Sequence, residues 1–86
     1  MKTQEEYNGW KNKATWNVAL WIGNDEPLYR AAVEFVRSAK KQKGVYYRFV
    51  KHTWLAGDKT PDGFKWDGSR LDYKALDEMM FELIAD

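Results

Sequence analysis

Apolar residues recur along this chain mostly at three- and four-residue spacing, which predicts helices rather than strands. The clearest run is Leu28, Ala31, Ala32, Phe35, Val36 and Ala39, with Arg30, Glu34, Arg37 and Lys41 on the other side. Ahead of it, Asn24-Asp25-Glu26-Pro27 supplies a capping side chain, acids at the positive end of the helix dipole and a proline in the first turn. Gly44 stops it, so a helix is predicted over 25–42. A shorter helix over 15–22 comes before it, with Thr15 as N-cap and Gly23 placed as a left-handed C-cap glycine. Its interior, Trp16-Asn17-Val18-Ala19-Leu20-Trp21-Ile22, is apolar nearly all round and reads as a central, buried element.

The segment 45–55 is rich in β-branched and aromatic residues, which favours a strand, but strict alternation fails at Lys51 and Thr53 on one face and at Arg48 and His52 on the other. Helical spacing fits better, with Tyr46, Phe49, Val50 and Trp54 on one stripe, and predicts a helix over 45–56. Residues 57–70 form a loop punctuated by Pro61, Asp62-Gly63 and Asp67-Gly68, and Phe64 and Trp66 within it should lay it down on the core. Asp72 then caps a last amphipathic helix, 72–85, built on Tyr73, Leu76, Met79, Met80, Leu83 and Ile84. The expected fold is all-α: four helices and a packed aromatic loop in one globular domain over 8–86, behind a loose tail of residues 1–7. The expected core is Trp16, Leu20, Trp21, Leu28, Phe35, Val50, Leu76 and Met80.

Composition narrows the classes. The 86 residues contain no cysteine, so there is no disulfide framework, no thiolate metal cage and no cysteine nucleophile. The longest stretch without charge, residues 14–24, is too short for a span that needs ~20 apolar residues. No apolar segment follows the charged start, so no secretory signal is read, and the expected location is cytoplasmic. The net charge of +1 argues against an acidic DNA mimic and against a generic DNA coat. Its distribution is uneven: residues 37–57 carry Arg37, Lys40, Lys41, Lys43, Arg48 and Lys51 with no acid, whereas residues 58–86 sum to −4.

The motif Asn8-Gly9-Trp10-x-Asn12-x-x-Thr15-Trp16-x-Val18-x-Leu20-Trp21-x-x-Asn24-Asp25-Glu26-x-Leu28-Tyr29 resembles the opening of a small family found in phages, plasmids, bacteria and halophilic archaea. The resemblance continues at Thr60-Pro61-Asp62-Gly63-x-x-Trp66 and at Leu71-Asp72-x-x-x-Leu76-x-Glu78-Met79-Met80. The chain departs from that pattern at Lys11, Lys13, Ala14 and Pro27, which are surface and cap positions. The resemblance implies a helical fold and a phage or mobile-element setting, with the host cytosol as the location if phage-encoded. It brings no established activity and no catalytic residues.

The residues themselves give catalysis little foothold. His52 is the one histidine, set among bases that disfavour its charged form, and Ser38 and Ser69 lack a nucleophile-elbow context. Asp77 and Glu78 are adjacent on a helix and point apart, and Asp58, Asp62, Asp67 and Asp72 lack calcium-loop spacing. No cofactor, metal ion or small-molecule substrate is expected. Two binding features remain. The tryptophan-rich opening reads first as core and second as a recognition surface. The basic residues Arg37, Lys40, Lys41, Lys43, Arg48 and Lys51 read first as a solvated face and second as phosphate contacts. The expected function is a non-enzymatic binding module acting through a protein partner or self-association, with nucleic-acid binding through 37–52 as the alternative.

Overall fold

A computed structural model of the chain describes residues 9–39 and 43–85. Among these residues the chain is all-α, with four helices: α1 (Lys13–Asn24), α2 (Glu26–Ala39), α3 (Val45–Lys51) and α4 (Tyr73–Glu82). The one β-type pairing in the described residues is an isolated bridge between Lys59 and Lys65. The tail read over residues 1–7, and Lys40, Lys41 and Gln42 at the expected end of the second helix, lie outside the described residues.

Helix α1 starts earlier than Thr15. Asn12, in extended backbone, is the N-cap, and its Oδ1 accepts from the Thr15 backbone N–H (2.9 Å) and hydroxyl (2.7 Å). Thr15 is instead the third helical residue, fully buried, and its oxygen accepts from the Asp72 N–H at 3.0 Å. Gly23 likewise lies inside the helix rather than capping it. Asp25 closes α1 by donating its N–H to the Trp21 carbonyl, and its Oδ1 accepts from Leu28 N–H at the start of α2. One residue thus ends one helix and caps the next, which forces a sharp turn.

Helix α2 buries Leu28, Ala32 and Val36, and half-buried Phe35 sits against Phe49 (5.7 Å between ring centroids) and His52 (5.9 Å) at the rim of the core. The 45–55 segment is helical, as its spacing predicts, but α3 stops at Lys51. Thr53 is the physical reason: its hydroxyl donates to the Val50 carbonyl and accepts from Leu55 N–H, diverting the backbone into turns through Gly57 (φ 79°). At its start, Gly44 has a left-handed φ of 75° and offers no capping side chain. Asp77 of α4 serves instead, with its two carboxylate oxygens accepting from Gly44 N–H (3.0 Å) and Tyr46 N–H (2.9 Å). Helix α4 is capped by Asp72 as expected, but ends at Glu82 in tighter turns over residues 83–85 rather than continuing.

The loop lies on the core, with Trp66 and Leu71 buried and Phe64 half-buried. Tyr46, fully buried, donates its hydroxyl to the Trp66 carbonyl at 2.6 Å, and burial pushes its phenol well above the ordinary tyrosine range, so it remains a neutral donor. Leu28, Val50, Leu76 and Met80 occupy the core as expected. Trp21 and Phe35 are half-buried and pack against it from outside. Trp16 and Leu20 are corrections: Trp16 is half-buried, and Leu20 is 37% exposed. At 100° per residue, both lie roughly opposite Val18 and Ile22, the stripe of α1 that faces inward. Tyr46 and Trp66 fill the interior that Trp16 and Leu20 would otherwise supply.

Asp77→Ala leaves two N–H groups at the head of α3 without their acceptor. We expect a loss of about 1–2 kcal/mol, with the melting midpoint falling by several degrees. Arg30→Ala, which removes the exposed 2.7 Å pair with Glu26, should leave the midpoint unchanged. Paired thermal melts by circular dichroism check both.

Candidate functional site

Two polar residues on α1 fix the loop opposite them. Asn17, 2% exposed, accepts from the Thr60 hydroxyl at 2.8 Å and donates through Nδ2 to Asp62 Oδ2 at 2.8 Å. Trp21 Nε1 donates to the same oxygen at 3.0 Å. Thr60 is buried, receives the Phe64 N–H on its hydroxyl, and exchanges two further backbone hydrogen bonds within the 60–64 turn. Asn12 Nδ2 reaches the Arg70 carbonyl at 2.8 Å, so α1 holds the far end of the loop as well. Asn17 is therefore a tertiary hub, and Asp62 is more than a turn residue. The hydrogen bonds from Asn17 and then Trp21, with Lys13 nearby, hold the Asp62 carboxyl below the usual carboxylate range. Among the described residues no buried side-chain nitrogen or oxygen lacks a partner.

One flank of α1 is clamped to the loop, another is turned inward, and a third carries the exposed Leu20. This third flank forms one wall of a groove against α4. The groove is made of two depressions of about 460 and 310 Å³ that share Trp10 and Met79 in their lining. Trp16, Ala19, Leu20 and Gly23 come from α1, at the spacing of a single helical stripe. Ala75, Glu78, Met79, Glu82 and Leu83 come from α4 and its final turn. The smaller depression is mainly apolar, whereas the larger is of mixed polarity and carries the Glu78 and Glu82 carboxylates on its α4 edge. Leu20 sits in this groove as one of the large exposed hydrophobic residues of the surface. The sequence carried a signal for it: a helix apolar all round has more greasy surface than one core contact can cover.

The basic residues are less concentrated. Arg37 is exposed on the last turn of α2, Lys43 is exposed in the turn before α3, and Arg48 and Lys51 are exposed on α3. Lys51 Nζ lies 3.9 Å from Asp67 and 5.2 Å from the centre of the Tyr47 ring, so a local acid offsets part of its charge. The structure brings Arg48 and Lys51 onto one helix beside the exposed Tyr47, and sets Arg37 on another. Lys40 and Lys41 lie outside the described residues. Among the described residues no group of three or more His, Cys, Asp or Glu is placed to hold a metal ion, and no helix is long and apolar enough to cross a membrane.

The lowered Asp62 carboxyl gives a pH prediction with a definite sign. A group whose folded value lies below its unfolded one contributes stability above the unfolded value and loses it as pH falls through the folded value. Asp62→Asn keeps an acceptor oxygen but cannot titrate. Its melting midpoint should therefore fall less steeply than that of the wild type between about pH 4 and pH 2. Melts of both proteins across that range check it, and parallel acid limbs would contradict it.

No curated protein and no solved structure matches the chain. A family model, described as a family of unknown function (DUF7249), matches residues 3–86. That match takes in α1, α2, α3, the clamped loop and α4, and the chain belongs to this family.

Proposed function

We propose that the chain is a protein-interaction module that receives an amphipathic helical segment of its partner in the groove between α1 and α4, without catalysing a reaction. The observation that carries this reading is the exposure of Leu20 beside half-buried Trp16 on the α1 wall of that groove. Grooves between two helices are suited to a third helix, whose i, i+3/i+4 and i+7 side chains become its anchors. Trp10, Trp16 and Met79 supply the large, deformable contact area from which binding hot spots are built. Glu78 and Glu82 on the α4 edge, near the negative end of that helix dipole, favour a segment with lysine or arginine flanking its apolar stripe. The motif resemblance supports a phage or mobile-element setting and, with it, action in the host cytosol.

A second reading, nucleic-acid contact, draws on the exposed Tyr47, Arg48 and Lys51 together on α3, with Arg37 and Lys43 nearby in sequence. An aromatic ring with cations on the same helix is an arrangement a phosphate backbone and a base can use, and the Tyr47 ring sits under Lys51 Nζ and edge-on to Tyr73.

The test uses two model helical peptides with the same leucine stripe, one with lysine and one with glutamate at the remaining positions. Titrated into the ¹⁵N-labelled protein, the lysine peptide should shift the Trp10 and Trp16 indole signals and the backbone of Leu20 and Met79. Its affinity should exceed that of the glutamate peptide, and Leu20→Glu should weaken it by ~10-fold or more. A lysine peptide that binds wild type and Leu20→Glu equally overturns the groove. Salt-sensitive binding of DNA or RNA mapping to α3, with no peptide response, would favour the second reading.

A further inference from the structure

A separate cleft opens where the first turn of α1 meets the 60–64 loop. It has a volume of about 380 Å³ and is lined by Lys13, Trp16, Asn17, Asp62 and Phe64. We propose that this cleft is a recognition site for a guanidinium group, with Asp62 Oδ1 as the acceptor and the Trp16 and Phe64 rings as its walls.

The carboxylate commits one of its two oxygens to the anchor. Asn17 Nδ2 and Trp21 Nε1 both donate to Oδ2, which occupies that oxygen, while Oδ1 receives no hydrogen bond from the described residues. An asparagine would anchor the loop through one oxygen, more weakly because its hydrogen bonds are not charge-assisted; a carboxylate also brings a second oxygen that shares the charge. Its orientation is set before any ligand arrives, because Asn17 is itself buried and held by the Thr60 hydroxyl. A preset acceptor avoids the ordering cost that makes exposed ion pairs weak. The low carboxyl value keeps the group ionised at neutral pH.

The walls favour guanidinium over ammonium. Trp16 and Phe64 are both half-buried, and the Phe64 ring pairs with no other ring among the described residues. A planar, weakly hydrated cation can lie against such a ring while its N–H groups reach a carboxylate, whereas a lysine ammonium holds its water more tightly. Lys13 is the other charged group in the cleft. It forms no ion pair with Asp62 and opposes an incoming cation. Trp16 lines the groove as well as this cleft. The cleft does not depend on the groove, and a free guanidinium should bind it whether or not a helix binds next door.

The experiment titrates N-acetyl-arginine amide, and its neutral isostere N-acetyl-citrulline amide, into the full chain. The Asn17 side-chain amide and the Trp21 indole N–H report the site by NMR. Saturable shifts at both are expected with the arginine compound at millimolar concentration, and binding of the citrulline compound should be ~5-fold weaker or more. Asp62→Asn, which retains the anchoring oxygen, should lose the response while keeping its near-ultraviolet circular dichroism. Lys13→Ala, a surface change that leaves the loop anchor untouched, should tighten binding ~2-fold or more. Equal binding of the two compounds, the absence of saturable shifts, or a Lys13→Ala variant that binds no more tightly would each overturn the assignment.

Discussion

A buried asparagine on α1 decides how the rest of the chain is arranged. Asn17 sits almost free of solvent, and an amide there without partners would cost on the order of 1–3 kcal/mol. Its partners come from a loop that has no regular structure of its own: the Thr60 hydroxyl on one side and the Asp62 carboxylate on the other. Thr15, two residues earlier and fully buried, makes the same demand and meets it with the Asp72 N–H. Satisfying both residues draws the segment between them down onto the helices. Trp66 and Leu71 then enter the core, and the Trp66 carbonyl receives the Tyr46 hydroxyl. The loop is thereby tied to α3 as well as to α1.

This arrangement determines which surface of α1 is left for other uses. Val18 and Ile22 face inward, Asn17 and Trp21 hold the loop, and Trp16 and Leu20 remain on the far side. Helix α4 is divided in a comparable way. Leu76 and Met80 enter the core and Asp77 caps α3, which leaves Met79 and Leu83 beside the open stripe of α1. The groove is a consequence of how two helices spend their other faces. A small fold buries a smaller share of its surface than a large one does, so such apolar faces remain outside its core.

Much of this was legible in the residues. Helix α2 announced itself by strict spacing and by the Asp25-Glu26-Pro27 start, and the α3 segment is helical because its apolar residues fit 3.6 residues per turn better than 2. The packing of the loop followed from Trp66 and Phe64. The orientation of α1 was not legible, because a helix apolar on most sides gives no moment to say which side faces in. Thr15 read as a cap because such residues usually satisfy themselves locally, and its hydroxyl does donate to Asn12. The contacts that tie the loop down, from Asn17 to Thr60 and Asp62 and from Thr15 to Asp72, span 43, 45 and 57 residues, beyond the reach of any local pattern. The exposure of Leu20 and the second role of Asp62 follow from those long contacts, and so did not show in the sequence.

The central claim is that α1 presents Leu20 outward and Val18 and Ile22 inward. A soluble nitroxide, which broadens the signals of groups it can approach, tests this directly on methyl-labelled protein. The account predicts strong attenuation of the Leu20, Met79 and Leu83 methyls, with Val18, Ile22, Leu76 and Met80 protected. Protection of Leu20 together with attenuation of Val18 or Ile22 would show that α1 is rotated the other way, and the groove would lose its principal wall.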